Sequence, residues 1–142
     1  MNLSDIEELY RVFPWPETPG SPLFVERLKE VTKIMKDLLS HEFTSDVLKG
    51  KDIIRVIDIC SGIGVASFVL SKLLIEEGYE VKVTLVYVRK EILMKGKEWF
   101  KRELNLEPSI HVIDARRVHD LKEKYDIALT WVPRSLTLTL GK

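Results

Sequence analysis

Several things are scarce in this sequence. Among 142 residues there is one cysteine, Cys60, which excludes an intrachain disulfide and any site built from several cysteines. Glutamine is absent, and asparagine occurs only at Asn2 and Asn105. No apolar run approaches the ~20 residues that a membrane span requires. Net charge is missing too: 22 basic side chains balance 22 acidic ones, so no global field draws the chain to nucleic acid or anionic membrane. The three histidines, His41, His111 and His119, lack ligand-like spacing, and no metal site is expected. The opening MNLSDIEELY is acidic, without the basic-then-apolar layout of a secretion signal, so a cytosolic setting is expected. Few amides and sulfurs with abundant Lys, Glu, Ile and Val fit a heat-adapted source.

Apolar residues make up 45% of the chain, enough for one packed domain and too many for a disordered chain. Residues 4–12 can form a short helix. Residues 13–22 hold four prolines and read as an extended arm, so 1–21 is set apart from a single domain over 22–142. Ser21 before Pro22 is a helix start, and Phe24, Leu28, Val31, Met35 and Leu38 recur at helical spacing, predicting a helix to about Leu39.

From residue 53 the pattern alternates. Ile53–Ile59 is a β-branched run that reads as a buried parallel strand, and a helix begins near Val65 and stops at Gly78. Further strands are predicted over 81–88, 110–113 and 126–132, with helices over 90–104 and 117–123. The fold class is therefore α/β: a three-layer, Rossmann-like parallel sheet in the order 3-2-1-4, with a ligand site where the order reverses between strands one and four. Ser135–Leu140 alternates with period two. Too little chain separates it from strand four for a parallel crossover, so an antiparallel edge strand or pairing with another chain, as in a homodimer, is expected.

The chemistry should sit where strand one meets the following helix. Gly62 and Gly64 permit a tight turn and close ligand approach, and the helix start offers unpaired N–H groups. Asp58, at the strand's end, suits a ligand bearing an ammonium or hydroxyls better than one bearing a pyrophosphate there.

The segment Asp58-Ile59-Cys60-Ser61-Gly62-Ile63-Gly64 resembles motif I, D-x-G-x-G-x-G, of the class I S-adenosylmethionine-dependent methyltransferases. Glu91-Ile92-Leu93, Asp114-Ala115 and Tyr125-Asp126-Ile127-Ala128 resemble that family's later landmarks, in register over about residues 22–132. The resemblance implies S-adenosyl-L-methionine as cofactor. Asp58 and the backbone of Cys60, Ser61, Gly62, Ile63 and Gly64 would hold its methionine end. Asp114 would accept from the adenine amino group, Ala115 would pack beside the ring, and Trp131 would line the transfer site.

Three features depart from the family pattern. Tyr87 stands where an acid usually grips the ribose, Cys60 replaces the first glycine, and the chain stops soon after strand four. Thr130-Trp131-Val132-Pro133-Arg134 matches no acceptor-selecting motif. Two other readings stay open. One is an inactive methyltransferase-like assembly subunit, with the basic residues of the second half facing an acidic partner such as nucleic acid rather than solvent. The other is an NADP-binding protein, since Gly62-x-Gly64-x-x-Ser67 nearly fits the dinucleotide fingerprint and Arg89 would suit a 2′-phosphate.

Overall fold

A computed structural model describes residues 19–130. The first helix, α1 (Pro22–Ser40), starts as the sequence demands: Ser21 Oγ accepts from Phe24 N at 3.3 Å, and proline occupies the first helical position. Phe24, Val31 and Met35 are buried, but Leu38 is 40% exposed, and Leu39 rather than Leu38 carries the stripe on against the core. A short helix follows, α2 (Glu42–Leu48), in a stretch without apolar periodicity. Its start is fixed by His41, whose Nδ1 accepts from Phe43 N at 3.1 Å.

Strand β1 (Ile53–Ile59), helix α3 (Val65–Glu76), strand β2 (Glu80–Tyr87), helix α4 (Lys90–Leu104), strand β3 (Ser109–Val112) and strand β4 (Ile127–Thr130) complete the frame. All pairings are parallel, in the order β3-β2-β1-β4. The segment between β3 and β4 is a 3-10 helix over Ala115–Asp120, not an α-helix over 117–123. Asp114 caps that turn and sets its start earlier than apolar spacing can show. The expected helix over 4–12, Trp131 and the alternating segment over 135–140 lie outside the described residues.

Strand alternation explains the packing. Ile54, Val56 and Asp58 point from β1 toward the helices, as do Val81, Val83, Leu85 and Tyr87 from β2. The two crossovers β1-α3-β2 and β2-α4-β3 step the same way across the sheet, so one hand places α3 and α4 on one face. The return from β3 to β4 runs back across the sheet and carries the 3-10 turn to the other. Helix α1 packs on α3. An aromatic cluster locks this layer: the rings of Phe68 and Trp99 stack with centroids 3.7 Å apart, and Phe24 meets Trp99 edge-on at 5.0 Å. Among the described residues, no helix is long and apolar enough to cross a membrane.

Candidate functional site

The carboxyl ends of the four strands form one edge. Ile59 pairs with Val86 on one side and Thr130 on the other, and Tyr87 pairs with Val112. The loop of residues 60–64 springs from the centre of that edge. Cys60 has φ +59°, a left-handed conformation that costs an L-residue about 1 kcal/mol. A glycine would adopt it freely. Ser61 N donates to Val86 O at 3.0 Å, fastening the loop to β2, and Gly64 N closes the turn on Ser61 O at 2.9 Å.

Gly64, at φ +90°, is the N-cap of α3 and has no side chain with which to cap it. Asp58 does this instead. Its Oδ2 accepts from Ser67 Oγ at 2.6 Å and from Ser67 N at 3.3 Å. Asp58 is only 1% exposed, and its Oδ1 has no hydrogen-bond partner. Buried carboxylate oxygens ordinarily have partners, and among the described residues this one has none. Burial pushes the Asp58 carboxyl up to about 6, against the opposing pull of the Ser67 hydroxyl and N–H. The Cys60 thiol is also raised, first by partial desolvation and then by the negative charges of Asp58 and Asp114. Asp58 and Asp114 therefore both act on the Cys60 thiol, from the end of β1 and from beyond the end of β3.

The loop rests on α4. A β-carbon on Gly96 would collide with Ile63 O and lie 3.0 Å from its carbonyl carbon. One on Gly64 would lie 2.9 Å from the Phe100 ring. Sequence reasoning gave the helix over 90–104 but missed that Gly96 supports the loop. It also missed the role of Ser67. The available signal was a pair of polar residues, Ser67 and Ser71, one turn apart on an otherwise apolar helix face; both are fully buried.

The remaining candidates are placed as follows. Tyr87 ends β2 and is 5% exposed, packed in the main core cluster. Asp114 accepts from Arg116 N at 2.9 Å and pairs with the Arg116 guanidinium at 2.7 Å. Those hydrogen bonds, side chain first and then backbone, hold the Asp114 carboxyl down at about 2. Ala115 begins the 3-10 turn beside it. Asp126 belongs to the opposite edge. There Arg55 N donates to its Oδ2 at 2.8 Å and Lys51 Nζ reaches its Oδ1 at 2.9 Å, clamping the approach to β4 against β1.

Several basic residues of the second half are ion-paired on the described surface. Arg89 pairs with Glu91, Lys97 and Lys101 with Glu107, Arg102 with Glu103, and Arg117 with Asp120. This favours a solvated, charge-balanced surface, and Arg89 is engaged where a 2′-phosphate would need it.

No family model and no curated protein sequence matches the chain. Solved structures do. TrmN from Thermus thermophilus superposes with a TM-score of 0.56 at 17% identity, over 80% of this chain and 34% of that one. A candidate class I S-adenosylmethionine-dependent methyltransferase from Listeria monocytogenes, lmo1582, superposes with a TM-score of 0.54 at 12% identity, over 96% of this chain and 41% of that one. The chain thus spans well under half the length of either structure. Its α/β sheet in the order β3-β2-β1-β4 has the Rossmann-like fold of the class I S-adenosylmethionine-dependent methyltransferases.

Proposed function

We propose that this domain binds S-adenosylmethionine at the carboxyl edge of its sheet, as the cofactor-binding part of a methyltransferase. The observation that carries the reading is Asp58: a buried carboxylate with an orphaned oxygen, under a loop of left-handed turns at a helix start. That arrangement fits the α-ammonium of the cofactor's amino-acid end. Backbone groups of residues 60–64 would bind the same end, and Asp114 and Ala115 would meet the adenine. The cofactor supplies an electrophilic methyl group. The protein's share is then alignment, with a base needed only where the acceptor must lose a proton.

Calorimetric titration with S-adenosylmethionine, S-adenosylhomocysteine and NADPH tests this. Binding of the first two without the third supports it, and Asp58→Ala should abolish that binding. Wild-type protein silent toward both sulfur ligands at millimolar concentration would sink the reading. A second reading, a methyltransferase-like subunit without activity, is favoured by one observation: Tyr87, buried where an acid would grip the ribose hydroxyls. Binding without methyl transfer in the presence of a completing partner chain would support it. A cytosolic, heat-adapted source remains the setting that the composition favours.

A further inference from the structure

Ser67 is the third residue of α3 and is fully buried. It gives Asp58 Oδ2 two donors, its hydroxyl at 2.6 Å and its N–H at 3.3 Å. The hydroxyl also lies 3.2 Å from Gly64 O, but it has one proton, and the shorter, charge-assisted bond takes it. Capping α3 needs only the N–H and an acceptor. The hydroxyl does something more: it doubles the hold on one carboxylate oxygen, fixes the rotation of the group, and leaves Oδ1 with nothing.

The described residues around it supply no alternative partner for Oδ1. In the sheet, Asp58 is flanked by Leu85 of β2 and Leu129 of β4. The negative charge of Asp58 raises the Cys60 thiol, and Asp114 acts on that same thiol. No cation contributes to the ionisation of Asp58. The carboxylate is a lone charge in an apolar setting, held by one serine.

We infer that Ser67 is a positioning residue, which pins Oδ2 of Asp58 so that Oδ1 is presented to a cationic ligand group, the ammonium of an amino-acid moiety. This rests on the cofactor reading above. The ligand's charge then completes a pair that the fold leaves half-made. Ligand capture becomes linked to the ionisation of Asp58: affinity is full above the midpoint near 6 and falls as the carboxyl protonates below it.

The test compares wild type, Ser67→Ala and Asp58→Asn by titration with S-adenosylhomocysteine from pH 5 to 8, and follows the Asp58 carboxyl in the ligand-free protein by carbon NMR. Ser67→Ala should weaken binding roughly tenfold at pH 7 by removing a hydrogen bond to a charged group. It should also move the midpoint of the binding profile upward, because the hydroxyl that favoured the ionised form is gone. Asp58→Asn should bind weakly with no pH dependence in this range. Should Ser67→Ala fold poorly by circular dichroism, Ser67→Cys keeps the volume with a far weaker donor and should give the same direction. If wild type binds and the serine variants match its affinity and pH profile, the inference is overturned while the cofactor reading stands. If wild type does not bind at all, the cofactor reading fails. The pinning of Asp58 is then judged by NMR alone: an upward-shifted carboxyl in Ser67→Ala upholds it, and an unshifted one overturns it.

Discussion

Gly96 of α4 lies directly against the backbone of Ile63: a β-carbon there would sit 3.0 Å from the Ile63 carbonyl carbon and 3.2 Å from its α-carbon. Helix propensity alone would favour alanine at this position by roughly 1 kcal/mol. The contact outweighs it, because backbone cannot swing aside as a side chain can. Gly96→Ala should therefore destabilise the protein by about 1–3 kcal/mol, as overpacking generally does. It should also displace the loop of residues 60–64 and weaken ligand binding. Urea denaturation of the variant checks this; a more stable Gly96→Ala would show that the loop yields freely.

Asp58 should make the fold less stable at neutral pH than an uncharged residue would. Its carboxyl sits at about 6 when folded, against 3.8 for the free side chain. The folded state therefore holds the proton more tightly. The stability this lends is fully present below about pH 4 and is lost as pH rises through 6. Asp58→Asn, which keeps an acceptor for Ser67, should gain up to ~3 kcal/mol at pH 7. The gain should shrink toward zero below pH 4. Parallel urea titrations at pH 4 and pH 7 measure it, and an equal difference at both would refute the burial argument.

The clamp at the opposite edge carries the opposite sign. Asp126 accepts from Arg55 N and pairs with Lys51, and these hold its carboxyl below the usual range, the backbone hydrogen bond most of all. Its contribution is present above the ordinary carboxylate range and fades as pH falls through the lowered folded value. Asp126→Ala should cost about 1–3 kcal/mol at pH 7 by stripping a backbone N–H of its charged acceptor. Hydrogen exchange should quicken first in β4, whose approach to β1 the clamp controls. Uniform exchange across the sheet would argue against a local role.

Arg116 should govern how available Asp114 is. Removing the guanidinium in Arg116→Ala takes away the main cause of the depressed carboxyl, leaving the Arg116 N–H in place. The Asp114 carboxyl should then titrate above 2, nearer the ordinary range, in a carbon NMR titration. No movement would mean that the backbone cap dominates.

The sheet order was legible because it follows from alternation and handedness, both written in apolar spacing. The strand-end acid and the glycines were legible because few residue types tolerate those positions. What escaped was set by contacts distant in sequence. Helix α2 depends on His41 as a cap rather than on a stripe, and the 3-10 turn depends on Asp114. Ser67 reads as a minor blemish in an apolar helix until β1 turns Asp58 toward it. Gly96 reads as a small helical residue until Ile63 arrives from 33 positions earlier. Leu38 kept its helical spacing yet is 40% exposed, while the neighbouring Leu39 packs against the core.

The common edge of the strands also works as a ruler. Neighbouring strands are about 4.8 Å apart, so the end of β3 stands roughly 10 Å from the loop on β1. A ligand that engages both Asp114 and Asp58 must bridge that gap. On the cofactor reading proposed above, a nucleoside alone would meet Asp114, an amino acid alone would meet Asp58, and a molecule joining the two would span them.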